Sequence, residues 1–290
     1  MKTTTDIRDR IDLSGEEVCG LNFINDSGRF SFRKYYRSGL RSHIFEVLLN
    51  SDVDKEVQGV MQNGVLTFPR AVPKKIFRIF RSRFSTADDI FEEIKKYRIL
   101  LTALGPGLIA PSEEFIVEYK GPYGSHILLC GLQEYIDGEI LDPWKINAPD
   151  DLAVFISTIC QPGDSARKIF GTALDKIRKF AIRIRRMIRT TGYIPDLAGI
   201  GNLIFTRTAD LKLVDINNIV KLEFDADIHL DDRGYPSGDV SIQVLFMLET
   251  NLLGIEPDTD DPLFSRFMAP ERVKAVALLE RKFYETLRRA

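Results

Sequence analysis

The sequence predicts an α+β protein, with strands dominating the first half of the chain and helices the second. Short apolar segments separated by turn residues, such as EEFIVEYK, GPYGS and HILLCGLQEY, are typical of antiparallel strands. Apolar residues recur every three or four positions over residues 165–189 and 270–289, which indicates long amphipathic helices. The 290 residues are enough for one large domain or for two lobes.

The composition excludes several classes of protein. The chain is 44% hydrophobic and 28% charged with a net charge of −2, so nothing in its overall charge favours nucleic acid or an anionic membrane as a partner. No apolar run approaches the ~20 residues of a membrane span, and the charged N-terminus is unlike a signal peptide. Cys19, Cys130 and Cys160 lack metal-site spacing. We expect a cytoplasmic protein.

The N-terminal part predicts a hairpin followed by a basic strand. Residues 18–25 and 29–36 alternate as strands around an Asp-Ser-Gly turn at 26–28, whereas residues 37–66 have the pattern of an insertion without an assigned function. Residues 69–84 contain the strand KKIFR, which carries Lys74 and Lys75.

A helix is predicted after this strand. Ser85 or Thr86 can cap it, and Asp88 and Asp89 lie in the first turn, where the helix dipole favours negative charge. An apolar face begins at Ile90, and the helix ends at Gly105. Glu93 lies at the edge of that face, so it either points inward or belongs to a solvated EEIKK run.

Polar residues cluster around a second hairpin between residues 192 and 220. Strands at 203–205 and 211–214 are joined by a polar turn, so folding brings Asp196, Asn202 and Asp215 to one end. Carboxylate and amide oxygens suit a hard cation such as Mg²⁺, which takes its other ligands from phosphates. The alternative is that these Asp, Asn and Gly residues are ordinary turn residues.

In order, these segments resemble the protein-kinase-like superfamily, which includes protein kinases and aminoglycoside-type phosphotransferases. In that family an Asp opens the catalytic loop, an Asn follows it, and a second Asp ends the next strand. PDLAGIGN and LVDIN carry these residues here. The resemblance implies a bilobal fold, with a nucleotide-binding lobe of antiparallel sheet and one helix at residues 1–135. A mostly helical catalytic lobe follows at residues 136–290.

The resemblance also implies the roles of individual residues. Asp196 would orient or deprotonate an acceptor hydroxyl, and Asn202 and Asp215 would hold Mg²⁺. Lys75, or Lys74 beside it, would meet the phosphates of ATP and pair with Glu93. The hinge would bind adenine through its main chain, which here corresponds to Glu134 to Ile136.

The implied function is an ATP- and Mg²⁺-dependent phosphotransferase acting on a hydroxyl, with a small molecule as the expected acceptor. Two features depart from the family pattern: Ile194-Pro195 replaces the usual His before the catalytic Asp, and Asn202 comes six positions after Asp196 instead of five. Gly199 and Gly201 could absorb the extra residue. These departures favour the alternative of a catalytically impaired, nucleotide-binding regulatory module.

Two further features have both a structural and a functional interpretation. Asp239 precedes an apolar helix, so it is either that helix's N-cap or a carboxylate that accepts N–H bonds from the catalytic loop. The basic face of the helix at 165–189 could contact phosphates, but it is more typical of a solvated surface balanced by acidic residues elsewhere. No nucleic-acid partner is expected.

Overall fold

The computed structural model describes residues 5–25, 28–36, 39, 41–159, 165–258 and 260–289. Both α-helices and antiparallel strands are present, which confirms the predicted α+β class. Contacts divide the chain into two compact units: unit 1 is Met1–Lys95 with Pro111–Tyr135, and unit 2 is Lys96–Ala110 with Ile136–Ala290.

Unit 1 is built on an antiparallel sheet. In chain order, the strands of this unit are β1 (Phe30–Lys34), β2 (Ser42–Leu49), β3 (Val60–Gln62), β4 (Val65–Thr67), β5 (Lys75–Phe80), β6 (Ser112–Gly121) and β7 (Gly124–Glu134). Five of them form one sheet in the order β1-β2-β5-β7-β6, whereas β3 and β4 form a separate two-stranded hairpin. The predicted strands at 69–84 and on both sides of GPYGS are therefore confirmed.

The predicted first strand at residues 18–25 is wrong. Val18 lies in helix α1 (Gly15–Cys19), which begins with a capping box between Ser14 and Glu17. The sequence carries this signal as Ser-x-x-Glu, which competes successfully with the apolar alternation. The first hairpin of the sheet is instead β1 with β2, and Asp26 and Ser27 of the predicted turn lie outside the described residues.

Residues 37–66 are not simply an insertion. They include β2, which pairs with both β1 and β5. Helix α2 (Asn50–Gln58) and the β3–β4 hairpin follow, and neither contains a buried residue. Asn63 and Gly64 have φ values of 52° and 78°, the left-handed conformation that a tight two-residue hairpin turn requires.

Helix α3 (Ala87–Leu104) confirms the predicted helix and its cap. The Thr86 hydroxyl accepts the Asp89 N–H at 3.2 Å, and the Asp89 carboxylate accepts the Thr86 N–H at 2.9 Å. The bond from the Thr86 N–H to the carboxylate lowers the pKa of Asp89. Ile90 packs with Phe80 in unit 1, and Gly105 ends the helix at φ 74°.

Unit 2 combines helices with short strands. Its strands are β8 (Gly138–Ile140), β9 (Tyr193–Pro195), β10 (Leu203–Thr206), β11 (Leu211–Leu213) and β12 (Ile219–Lys221). Its further helices are α4 (Pro149–Ile159), α5 (Ala166–Thr191), α6 (Ser237–Met247), which runs into a π-helical segment at Leu248–Leu252, α7 (Pro262–Phe267) and α8 (Pro270–Arg289). The helices predicted at 165–189 and 270–289 are confirmed.

Two strand pairings position the polar residues of unit 2. The β10–β11 hairpin confirms the predicted strands, with Leu203 opposite Leu213. The second pairing joins β9 to β12 with Pro195 opposite Ile219. Helix α5 packs beneath them through the predicted apolar face, which includes Ile177, Phe180 and Ile184 in the main core.

Candidate active site

Asp196, Asn202 and Asp215 lie at neighbouring points of the backbone in unit 2. Asn202 immediately precedes β10, and its carbonyl accepts the Val214 N–H at 2.8 Å. Asp215 follows Val214 directly. The Asn202 side-chain amide donates to the Asp196 carbonyl at 3.0 Å. The hairpin and this bond therefore bring the three predicted residues together by main-chain geometry.

The Asp196 carboxylate has a fixed orientation. One oxygen, Oδ1, accepts the Ala198 N–H at 2.8 Å, and the other, Oδ2, accepts the side-chain amide of Asn218 at 3.0 Å. The Asp196 N–H donates to the Asn218 carbonyl at 2.8 Å. The half-buried carboxylate thus has donors on both oxygens, and its plane is determined by two different segments of the chain.

Gly199 and Gly201 accommodate the long loop in different ways. Gly201 has φ 97°, a backbone conformation that favours glycine. Gly199 is needed for close approach instead, because a Cβ at this position would lie 2.6 Å from Oδ1 of Asn202. The loop with one extra residue therefore closes over the Asn202 side chain.

The oxygens of Asn202 and Asp215 fit a hard cation. Donation from Nδ2 to the Asp196 carbonyl sets the orientation of the Asn202 amide, and no described residue donates a hydrogen bond to its Oδ1. From the described part of the chain, Asp215 accepts one long bond, from the Asn217 N–H at 3.3 Å. The described residues contain no cluster of three or more His, Cys, Asp or Glu side chains that could hold a metal without further ligands. One amide oxygen and one carboxylate suit Mg²⁺, which binds few protein ligands together with phosphates.

Sequence reasoning missed several residues that support the loop at residues 196–202. Asn218 is 6% exposed and contacts Asp196, Asp231 and Ser237. Ser241 in α6 accepts the Leu197 N–H at 3.0 Å. The pairing of β9 with β12 places Asn218 beside Asp196. Strands of three residues leave almost no pattern in a sequence, so this pairing could not be predicted.

Both interpretations of Asp239 are wrong. It lies within the first turn of α6, where Pro236 is the N-cap and no side chain caps the helix. The Asp239 carboxylate pairs with Arg272, and both side chains are almost fully buried. The bond to the catalytic loop that the sequence assigned to Asp239 is made by Ser241.

In unit 1 the structure separates Lys75 from Glu93. Alternation along β5 puts Lys75 on the face of Phe77 and Ile79, which pack with the N-terminal segment. Helix α3 packs on the opposite face, where Ile90 meets Phe80. The predicted Lys75–Glu93 pair therefore does not form, and the role of Lys75 towards phosphates stays a prediction.

A different ion pair occupies the α3 face of the sheet. Arg78, three residues after Lys75, donates to the Glu114 carboxylate at 2.7 Å, and both side chains are 3–5% exposed. Lys74 pairs with Asp52 at 3.4 Å. Arg78 is thus the buried cation of β5.

The predicted hinge lies where the chain leaves unit 1. Lys75 is directly opposite Glu134 in the pairing of β5 with β7. The Glu134 N–H donates to the Pro111 carbonyl at 2.8 Å, so it is engaged within the protein. The role of the main chain from Glu134 to Ile136 towards adenine stays a prediction.

Similarity to known proteins adds no assignment to this geometry. No protein-family model and no curated protein matches the chain. Among the described residues, no helix combines the length and apolar character needed to cross a membrane.

Proposed function

We propose that this chain is an ATP- and Mg²⁺-dependent phosphotransferase of the protein-kinase-like fold, which transfers the γ-phosphoryl group to a hydroxyl. The observation that carries the proposal is the convergence of Asp196, Asn202 and Asp215 through the Asn202–Val214 and Asn202–Asp196 hydrogen bonds. We propose a small molecule as the acceptor, because the segment from Asp215 to Tyr235 is short for one that binds a protein substrate.

The succession of elements supports the kinase-like fold. A hairpin of two strands (β1–β2) is followed by a basic strand (β5), one helix (α3) and a further hairpin (β6–β7). In unit 2 a long helix, α5, leads directly to Asp196, and the β10–β11 hairpin leads to Asp215. This is the order that the resemblance requires, although the details of the first hairpin and of β2 differ from those expected from the sequence.

In the proposed reaction the protein contributes alignment and charge neutralisation. The Asp196 carboxylate accepts the hydrogen bond of the acceptor hydroxyl and takes its proton as the oxygen forms a bond to the γ-phosphorus, while the bond from that phosphorus to the β–γ bridging oxygen breaks and ADP leaves. Ala198 and Asn218 hold that carboxylate in place. Asn202 and Asp215 would hold Mg²⁺, which when bound neutralises charge on the phosphates.

Replacing Asp196 tests this proposal. Transfer of phosphate from ATP to a panel of small hydroxyl compounds would be compared for the wild type, Asp196→Ala and Asp175→Ala. Loss of a general base lowers turnover by about 10²-fold or more. Asp175 is an exposed residue of α5 whose partner among the described residues is Arg178, so its variant should behave as the wild type. Unchanged turnover in Asp196→Ala would remove Asp196 from the mechanism.

A catalytically impaired, nucleotide-binding regulatory module is the second candidate. The separation of Lys75 from Glu93 favours it, because the family relies on that pair to hold the phosphates. This candidate predicts nucleotide binding without transfer to any acceptor of the panel. Transfer that depends on Asp196 would exclude it.

A further inference from the structure

Asn218 connects three segments of unit 2 through one nitrogen atom. Its Nδ2 lies 3.0 Å from Oδ2 of Asp196, 3.3 Å from Oδ2 of Asp231 and 3.0 Å from Oγ of Ser237. An amide nitrogen carries two hydrogens, so these three acceptors share two donors. The side chain is buried, and water cannot easily replace the contacts it makes.

The fold leaves Asn218 little freedom. It immediately precedes β12, and its carbonyl accepts the N–H of Asp196, which immediately follows β9. The antiparallel pairing of the two strands therefore fixes the Asn218 backbone beside the catalytic loop. The side chain then extends to the turn that begins at Asp231.

That turn is organised around Asp231. Its Oδ1 accepts the N–H groups of Arg233 at 2.9 Å and Tyr235 at 3.0 Å. Its Oδ2 accepts the hydroxyl of Ser237 as well as the contact with Asn218. The amide of Asn218 thus lies between two carboxylates and contacts an oxygen of each.

We propose that Asn218 is a positioning residue with two tasks. It fixes the Asp196 carboxylate for the acceptor hydroxyl, and it ties the turn at residues 231–237 to the catalytic loop. The first task rests on the proposed function for its catalytic consequence. The second concerns the folded protein alone.

An exchange of donor and acceptor separates the two tasks. Asn218→Asp keeps the shape of the side chain but replaces the donor with a third carboxylate. In the double variant Asn218→Asp/Asp231→Asn the amide introduced at position 231 can donate to the carboxylate at position 218. The tie to the turn is restored there, whereas Asp196 still faces a carboxylate in place of its donor. Asn217→Ala is the matched control, because no described residue bonds the Asn217 side chain.

The primary readout is amide hydrogen exchange of the full chain without nucleotide. The N–H of Ala198 reports the position of Asp196, and those of Arg233 and Tyr235 report the turn. Asn218→Asp should speed exchange at all three by about tenfold, since hydrogen bonds to charged groups are broken. The double variant should restore Arg233 and Tyr235 but not Ala198, and the control should match the wild type.

Phosphate transfer is the second readout. Turnover should fall by about 10²-fold in Asn218→Asp and stay low in the double variant, with the KM for ATP unchanged, because misplacement of a catalytic group affects the chemical step. Recovery of both Ala198 protection and turnover in the double variant would overturn the positioning task. Unchanged exchange at Arg233 and Tyr235 in Asn218→Asp would overturn the tie. A wild type that binds no nucleotide and transfers no phosphate refutes the proposed function, while the exchange data still decide both contacts of Asn218.

Discussion

The contribution of Asp239 to the free energy of unfolding depends on its partner, Arg272. Its side chain and that of Arg272 are 3% and 8% exposed, and the Arg272 guanidinium also donates to the carbonyls of Asp225, Ala226 and Asp227. Arg272 lies over the Phe267 ring, 4.7 Å from its centre. One carboxylate therefore neutralises the cation that holds the loop after β12.

Asp239→Ala should cost about 3–5 kcal/mol of unfolding free energy, because it leaves a buried guanidinium without its counter-charge. Denaturant unfolding monitored by circular dichroism measures this loss. Adding Arg272→Met should cost less than the sum of the single losses. A loss of only about 1 kcal/mol, the value of an ordinary helix cap, would contradict the buried ion pair.

Residue-level prediction succeeded where chemistry and chain proximity coincide. Asp196, Asn202 and Asp215 have carboxylate and amide oxygens and flank a recognisable hairpin, so the sequence alone predicted that they lie close together. The role of Asn218 was not predicted, because its partners are residues 196, 231 and 237. The β9–β12 pairing, which brings Asn218 close to Asp196, is not visible in the sequence. The pairing of Lys75 with Glu93 failed because the strand begins at Lys75 and alternation turns that side chain away from α3.

At the scale of elements, the sheet of unit 1 is built around a charged pair. Arg78 in β5 and Glu114 in β6 both lie opposite Gly131 in β7, the strand between them. A Cβ at Gly131 would lie 2.8 Å from Oε2 of Glu114 and 2.9 Å from Nη2 of Arg78. The absence of a side chain at Gly131 is what allows the two flanking strands to form their ion pair across the sheet.

This pair predicts a strongly non-additive mutant cycle. Arg78→Leu and Glu114→Leu should each cost about 3–5 kcal/mol, since each leaves one buried charge. The double variant should be much closer to the wild type, because two apolar side chains leave no charge uncompensated. Urea unfolding of the four proteins measures the coupling, and additive losses would show that the charges do not depend on one another.

Long periodic elements were predictable, whereas short ones and strand order were not. Helix α3 has a clear cap and apolar face, and α8 begins and ends as the sequence predicts. The prediction of a strand at residues 18–25 was wrong because the capping box at Ser14 starts helix α1, which includes the first two of these residues. Strand β2 was not predicted within residues 37–66, because the local sequence does not show that this segment pairs with β1 and β5.

For the whole molecule, the sequence predicted the α+β class and the order of its main elements. The division of contacts assigns residues 96–110 to unit 2, although helix α3, to which residues 96–104 belong, begins in unit 1. Local periodicity cannot predict this assignment, because it depends on which core receives Tyr97, Leu100 and Leu104. The chemistry of the hairpin in unit 2 links this fold to the proposed phosphotransfer.

The most direct test of that link is thermal unfolding with ATP or ADP, with and without Mg²⁺, for the wild type and Asp215→Ala. A ligand that binds only the folded protein, at about 100 times its dissociation constant, adds about 2.7 kcal/mol of stability. We predict an upward shift in Tm that requires Mg²⁺ and is lost in Asp215→Ala, whose Tm without nucleotide stays near that of the wild type. No shift with either nucleotide, or the same shift without Mg²⁺ and in the variant, would contradict a magnesium-nucleotide site at this hairpin.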